Sequence, residues 1–526
     1  MFYNSSKTEG LPLTAISQEK LAEIRRRHPK WQAPKYPGMT HWIESGWVGN
    51  KTSAIDVKAL DPQQVPDAIV NFQPTWDKSL RDLCEATGVA IARDPIWGTA
   101  VLDHLRERLD ALPEDSLNPI LWGIRGPVND GSAKLDTQSV IALLGAIRRL
   151  IEKRPQPAAW SSLPSVLNDL TKKFSLSISD WHELGLYLEA MFRDYDYKRT
   201  EEERPIEWLQ RAVNHPYGDL AQAYRDLAQQ YVDRLSKDEK SLSFEPHSEA
   251  FFDRTTRYYG AGSRYGLCLL TERMSWMEAV SPEFADRMKP LFDWTENSER
   301  AQVAWSGYLW SRTLSRVLVE NFAVTYINTI KRHAEFGSWE LEGLASHTAA
   351  VFWLKLSGLD SLYRVAEAGN SGFRLSLLRD WKSHLSTARP DNADEFFRTI
   401  LFPYWDWCAR QSFFAKGTGD NERFGFWELL PYANSSFPEA SRRAVQYRPL
   451  KHETFGMFVE EIVKDTALKY PDDLLDLLIV LLEMDAHTYL QKKEWQAAWE
   501  ALKGTGSGKL DILANVLARR DISLDT

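Results

Sequence analysis

Two glycine-rich stretches come nearest to nucleotide chemistry, and the clearer one is GTGSGK at residues 504–509. A phosphate-binding loop has the pattern G-x-x-x-x-G-K-[ST], in which backbone N–H groups and the lysine hold the phosphates. Gly508 and Lys509 match its second half, but Lys503 replaces the first glycine and Leu510 replaces the magnesium-binding hydroxyl. The preceding segment is helical rather than a buried strand. The pattern therefore predicts a turn after a helix, with Lys509 facing solvent.

The second stretch is GAGSRYG, residues 260–266. It resembles the G-A-G-x-S phosphate loop that opens the nucleotide fold of sirtuin-like enzymes. In that fold the loop follows a buried apolar strand, whereas here it follows the polar and aromatic FDRTTRYY, and Ser263 comes one position early. The surrounding sequence lacks the strand–helix alternation of a Rossmann-like sheet. We therefore expect no nicotinamide-nucleotide site at this loop.

Other residue types that do chemistry occur without the spacing that chemistry needs. The histidines form neither H-E-x-x-H nor H-x-x-x-H, and no G-x-S-x-G elbow is present. The three cysteines, Cys84, Cys268 and Cys408, lie far apart, which fits buried thiols in a reducing cytoplasm rather than a local metal site. The acidic run RTEEERP is typical of a solvated connector. We predict no catalytic residue, no metal site and no cofactor.

Composition limits the class of protein. Of 526 residues, 43% are apolar and 26% are charged, which indicates a folded globular chain. The net charge of −9 argues against a general nucleic-acid binder, which needs a basic face. The strongest apolar run, residues 474–484, contains Asp476 and is shorter than the about 20 residues of a membrane-spanning helix. With no secretory signal visible, we expect a cytoplasmic protein.

The elements that must position any site are helices. Residues 137–154 place their apolar side chains on one stripe, and residues 218–236 repeat the pattern. Pro95, Pro216 and Pro471 each stand just before an apolar stripe, where the missing N–H of proline costs nothing. Alternating strand patterns bounded by turns do not occur. The sequence predicts an all-α fold, an irregular stack of helical hairpins that forms a HEAT-like α-solenoid or superhelix.

Polar, turn-rich stretches divide the chain into four predicted segments. Residues 1–65 are rich in proline and tryptophan and are predicted to form an irregular N-terminal cap. Residues 66–240 are predicted to form a helical repeat region, residues 241–390 a central helical region, and residues 391–526 a C-terminal helical region. Within the central region, residues 312–333 are expected to form a helix.

The middle of the chain carries a more specific pattern. The tryptophan-rich stretch FDWTENSERAQVAWSGYLW is followed later by ILFPYWDWCARQ and SSFPEASRRAV. Together with the opening LAEIRRRHPKWQAPKYPGMTHWIESGWVG, they resemble the helical, Trp-rich domain of unknown function found C-terminal to sirtuin-like modules in large bacterial anti-phage defence proteins. In that family an FDW…A…W.G.LW stretch lies in mid-domain. Its positions here are Phe292, Asp293, Trp294, Ala304, Trp305, Gly307, Leu309 and Trp310.

The resemblance implies a sensor and scaffold role. In such systems the helical region recognises an invader component or mediates assembly, while a separate module depletes NAD or attacks nucleic acid. The sirtuin-like enzyme domain of that family is absent from this sequence. We therefore expect any activity to come from a separate effector domain or chain.

The predicted function is a non-catalytic helical scaffold that binds protein partners: an effector chain, a phage component or a second copy of the chain. A stacked helical array offers extended surfaces for such binding. Trp294, Trp305 and Trp310 are the predicted anchors, either for a partner or for packing within the stack. The alternative is an enzyme directed at nucleotides or nucleic acid with an unrecognised helical active site. A weaker alternative is nucleic-acid binding through the basic, aromatic residues 23–36.

Overall fold

The computed structural model describes residues 26, 56–74, 79–174, 176–195, 208–237, 243–257, 260–411, 420–449, 461–463, 468–484, 492–520 and 522. Within these residues the ordered elements are helices and short helical turns, without a strand. The all-α prediction is therefore confirmed. Most of the predicted N-terminal cap, and almost all of the basic stretch at residues 23–36, lie outside the described residues. No helix in the described part is long and apolar enough to cross a membrane.

The helices follow one another with short connections. From the N-terminal side they are α1 (Val65–Val70), α2 (Leu80–Arg93), α3 (Pro95–Glu107), α4 (Leu117–Asp130), α5 (Thr137–Lys153), α6 (Leu163–Lys173), α7 (His182–Phe192), α8 (Trp208–Ala212), α9 (Pro216–Lys237), α10 (Pro246–Arg257), α11 (Ser263–Thr271), α12 (Met274–Val280) and α13 (Pro282–Met288). The later helices are α14 (Ser298–Trp310), α15 (Arg316–Val319), α16 (Phe322–Ile330), α17 (Ser338–Trp353), α18 (Leu359–Ala368), α19 (Ser371–Thr387), α20 (Pro390–Phe396), α21 (Phe402–Arg410), α22 (Asp420–Trp427), α23 (Phe437–Gln446), α24 (Pro471–Glu483), α25 (Lys492–Leu502) and α26 (Leu510–Arg519).

Helices that are separated along the chain pack side by side in one row. The row runs α2, α4, α6, α9, α11, α14, α17, α19 and α22, each helix in contact with the next. Helices between them form further contacts of the same kind, since α3 packs on α5, and α18 packs on both α16 and α21. A chain that returns to the same row after each hairpin builds such an array. The predicted irregular stack of helical hairpins is confirmed.

The local signals in the sequence fix many of these helices. The apolar stripe predicted within residues 137–154 is fully buried in α5, and Asp136 caps the helix by accepting from the N–H of Ser139 at 2.7 Å. The three helices predicted to open with proline begin at Pro95, Pro216 and Pro471. Local capping and burial of one stripe therefore act together.

The helix predicted over residues 312–333 is divided in two, which corrects that expectation. The break lies at Asn321, whose backbone (φ −113°, ψ 36°) is outside the helical region. The first piece begins late because the carboxylate of Glu278 accepts from the Ser315 hydroxyl and from the N–H of Arg316, both at 2.8 Å. A contact with another helix thus sets the start of α15.

Glycines permit the closest crossings in the middle of the row. A Cβ at Gly307 of α14 would lie 2.0 Å from the carbonyl oxygen of Cys268 in α11. A Cβ at Gly343 of α17 would lie 2.1 Å from the carbonyl oxygen of Leu309 in α14. Neither distance leaves room for a side chain, so the backbones touch directly. The C-terminal end of α14 is therefore held against the start of α17.

Candidate functional site

The three predicted anchor tryptophans lie at different depths around α14. Trp294 precedes the helix, is 6% exposed, and donates through Nε1 to the hydroxyl of Thr329 at 2.9 Å. Trp305 is fully buried in the helix and donates to the carbonyl of Phe292 at 3.1 Å. Trp310 ends the helix and is 39% exposed. Trp294 and Trp305 therefore pack within the stack, whereas part of the Trp310 ring is exposed on the surface.

Trp310 does not stand alone on the surface. Its ring stacks on that of Trp339, in the first turn of α17, with centroids 5.8 Å apart and an interplanar angle of 24°. Trp339 is 55% exposed. The close approach of Gly343 to Leu309 brings the two helices near enough for this contact. The two rings form one exposed aromatic surface, which we call the Trp310–Trp339 pair.

A cavity of about 280 Å³ lies beside this pair. The wall from α14 and the residues after it includes Trp310 and Arg312, the wall from α17 includes Trp339 and Glu342, and α19 contributes Asp380. Arg312 offsets one of the two carboxylates, so the charged side chains sum to a single negative charge when both acids are ionised. We call this cavity the Trp310 pocket.

The electrostatics of the pocket favour an additional positive charge. The pKa of Asp380 is raised to about 6, chiefly because burial disfavours its charged form; Arg312 opposes the rise and Glu342 adds to it. A further cation beside this carboxylate would favour its ionised form. The pocket can accept hydrogen bonds through Glu342 and Asp380 and can stack a planar group on the aromatic pair.

A buried polar network holds the segment that follows Trp310. His347 of α17 bonds through Nε2 to the carbonyl of Ser311, and Nε2 must be the donor because a carbonyl can only accept. Its Nδ1 lies 3.3 Å from the hydroxyl of Tyr326, which lies 3.2 Å from the hydroxyl of Tyr308. Burial lowers the pKa of His347 to about 4. The imidazole is therefore neutral at neutral pH and fixes the pocket wall.

The GAGSRYG loop directs its backbone donors at protein atoms. The N–H groups of Gly262 and Ser263 donate to the carbonyl of Arg193 at 2.8 and 2.9 Å, and the N–H of Gly260 donates to the Ser263 hydroxyl at 2.7 Å. A Cβ at Gly262 would lie 1.9 Å from the carbonyl oxygen of Phe192. The backbone N–H groups that would bind a phosphate are therefore already bonded to oxygen atoms of the protein. The absence of a Cβ at Gly262 lets the loop pack closely against the end of α7.

The GTGSGK stretch joins α25 to α26, as the turn prediction requires, and Gly506 adopts φ +71°. Lys509 differs from the expectation of a plain solvent-facing residue. Its Nζ lies 2.7 Å from Oδ2 of Asp476 in α24, while Ser507 bonds to the carboxylate of Asp472 in the same helix. The turn therefore docks the last described helix onto α24.

The cysteines and the metal-binding side chains offer no second site in the described residues. Cys84, Cys268 and Cys408 are buried, and burial raises the pKa of each thiol, as expected for inert core thiols. No group of three or more His, Cys, Asp or Glu side chains in the described part could hold a metal ion.

Comparison of the chain with protein-family models, with curated proteins and with solved structures finds no match. Of the residues that line the pocket, the sequence predicts Trp310 as an anchor but not Trp339, Glu342 or Asp380. Glu342 is one turn from Trp339 on the same helix face, yet nothing in the sequence placed that face beside Trp310.

Proposed function

We propose that this chain is a non-catalytic helical scaffold that binds a protein partner at the Trp310 pocket. The observation that carries the proposal is the exposed Trp310–Trp339 pair beside a charged cavity. Tryptophan is enriched at protein interfaces and dominates their binding energy. The cavity, about 280 Å³, lies just below the roughly 300–1,000 Å³ of small-molecule sites. That volume suits a side chain of a partner.

The exposed ring area is large enough to matter energetically. Trp310 at 39% and Trp339 at 55% expose together about as much surface as one free tryptophan, which is roughly 200 Å². Covering that area would contribute about 5 kcal/mol at 25 cal/mol per Å². Association costs of several kcal/mol oppose this gain, so the pair acts as an anchor within a larger contact rather than as a complete interface.

The partner belongs to one of three classes: an effector chain, a phage component or a second copy of this chain. The setting we propose is bacterial anti-phage defence in the cytoplasm, and the support for it is the resemblance of the FDW…W.G.LW stretch to the Trp-rich helical domain of such systems. A scaffold of this type leaves the chemistry to its partner.

Co-purification with the products of neighbouring genes tests the proposal. The tagged chain is co-expressed with each neighbour, and bound protein is quantified for the native sequence and for the double variant Trp310→Ala/Trp339→Ala. Trp122→Ala is the matched control, because Trp122 is also half-exposed but lies in α4. We expect one neighbour to bind the native chain and the control and to be lost from the double variant. Equal binding by all three would refute the use of this pocket.

The enzymatic alternative stays a prediction without a specific observation in its favour. Hydrolysis of NAD, ATP or nucleic acid by the purified chain, abolished by one substitution in a folded variant, would overturn the non-catalytic part of the proposal.

A further inference from the structure

Several tryptophans of this protein carry a cation over the indole ring. The pairs are Lys58 over Trp97 at 5.4 Å, Arg125 over Trp122 at 4.9 Å, Arg264 over Trp208 at 5.2 Å and Arg332 over Trp294 at 4.8 Å from the ring centroid. Cation–π contacts of this kind contribute about 0.5–2 kcal/mol, depending on desolvation. The partly exposed Trp122 and the buried Trp294 are both covered by an arginine of the next turn or of a neighbouring segment.

The Trp310–Trp339 pair differs from these rings. Among the described residues, no lysine or arginine lies over either indole. Arg312 lines the pocket, and its positive charge favours the ionised form of the Asp380 carboxylate. The pocket thus combines two features that attract a cation: an aromatic surface without one, and two carboxylates served by a single arginine.

We propose that the Trp310 pocket binds the side chain of an arginine on the protein partner, with its guanidinium on the outer face of the aromatic pair and its N–H groups bonded to Glu342 and Asp380. This inference rests on the proposed scaffold function and names the chemistry that the scaffold recognises. The bound arginine brings the formal charge of the pocket from −1 to zero.

Arginine fits these groups better than lysine does. The guanidinium group of arginine is planar, so it can stack on the indole ring. Its N–H groups point outward in the plane of the guanidinium and can still reach carboxylates at the side. It is also more weakly hydrated than an ammonium group, which lowers the cost of entering a half-buried site. Charge-assisted hydrogen bonds to carboxylates are about twice as strong as neutral ones. An ammonium group would gain the charge attraction but lose the stacked area.

A site-resolved binding experiment tests the inference on the full chain. The protein is labelled with 5-fluorotryptophan, and the ¹⁹F resonances of Trp310 and Trp339 are assigned from the variants Trp310→Phe and Trp339→Phe. The probe is the peptide acetyl-Gly-Arg-Gly-amide. Its matched control contains citrulline, which keeps the planar shape of arginine without the charge. A lysine peptide separates charge alone from charge with stacking.

We expect the arginine peptide to shift both resonances saturably and to bind about tenfold more tightly than the citrulline peptide, equivalent to roughly 1.4 kcal/mol. Glu342→Gln should weaken binding of the arginine peptide several-fold, whereas Glu283→Gln, an exposed glutamate of α13, should leave it unchanged. Trp122→Phe should also leave it unchanged. The lysine peptide should bind more weakly than the arginine peptide.

Three results would overturn the inference: no shift with the arginine peptide, equal binding of the citrulline peptide, or equal binding of the lysine peptide. These failures are distinguishable from failure of the scaffold function. If the peptide does not bind but partner capture still requires both tryptophans, the arginine assignment is wrong and the scaffold function stands. If partner capture is also insensitive to both tryptophans, both proposals fall.

Discussion

Substituting Gly343 by alanine probes the contact that positions the proposed site. The added methyl would lie 2.1 Å from the carbonyl oxygen of Leu309, 2.9 Å from its carbonyl carbon and 3.2 Å from its Cβ. The two nearest atoms belong to the backbone of α14, which cannot rotate away as a flexible side chain could. Ordinary contact therefore requires α14 and α17 to separate. Since Trp310 ends α14 and Trp339 lies in the first turn of α17, their stacking must change as well.

Two opposing effects determine how much Gly343→Ala changes the free energy of unfolding. Alanine is favoured over glycine in a helix interior by about 1 kcal/mol. Overpacking a filled contact costs about 1–3 kcal/mol, and the upper part of that range applies because the obstructing atoms are backbone. We expect the free energy of unfolding of Gly343→Ala to fall by about 1–2 kcal/mol. Gly145→Ala in α5 is the matched control, because the nearest atom to its Cβ is a flexible Arg149 nitrogen at 3.8 Å, and it should gain up to about 1 kcal/mol.

Chemical denaturation followed by far-ultraviolet circular dichroism measures both stabilities, and the ¹⁹F resonances of the labelled tryptophans report the geometry of the pair. Gly343→Ala should shift the resonances of Trp310 and Trp339, while Gly145→Ala should leave them in place. A Gly343→Ala variant that gains stability like its control, with both resonances unmoved, would refute the close crossing as the feature that positions the pair.

Three further substitutions test other parts of the structure. Lys509→Ala removes a half-exposed ion pair with Asp476 and should lower the free energy of unfolding by no more than about 1 kcal/mol, with partner capture intact; a large functional loss in a folded variant would restore the phosphate-loop hypothesis. Arg374→Met leaves Glu422 buried without its bidentate partner at 2.9 and 3.0 Å and should cost about 3–5 kcal/mol in denaturation, which Glu422→Gln in the same chain should partly restore. Burial lowers the folded-state pKa of His347 to about 4. Between pH 6.5 and 4 this histidine is therefore protonated in the unfolded state but neutral in the folded state. Stability should therefore fall by about 3 kcal/mol as the pH drops through that window, and a His347→Gln variant with the same pH slope would contradict this.

The fold could be predicted from the sequence because its signals are local. Apolar stripes such as that of α5 are buried on one face, and the prolines at residues 95, 216 and 471 begin helices where their ring is tolerated. A stack of hairpins then follows, since each helix needs a neighbour to cover its stripe. The helices of the row follow one another in the same order as along the chain, so their order in the row needs no further signal from the sequence.

The exceptions arise where distant groups decide the local structure. The start of α15 at Arg316 depends on Glu278, which lies on another helix and accepts hydrogen bonds from Ser315 and Arg316. Lys509 likewise pairs with a carboxylate of α24 instead of pointing freely into solvent. Periodicity and capping rules contain no information about such partners.

The candidate site was predictable only in part, for a related reason. All three tryptophans of the FDW…W.G.LW stretch have the same apolar character in sequence, but their depths differ because Trp305 lies mid-helix in the row and Trp310 lies at its end. Trp339 and Asp380 reach the pocket from α17 and α19. Their presence there depends on helix crossings, which a single sequence does not specify.

The pocket is built mainly on packed helices rather than on loops. Its walls come from three successive helices of the row, and the backbone contact at Gly343 and the buried bond from His347 to Ser311 hold two of those walls. A site on packed helices loses little conformational freedom when a ligand enters, so more of the contact energy is available for binding. The half-exposed, stacked indoles beside two carboxylates and one arginine are the features on which the proposed binding of a cationic side chain rests.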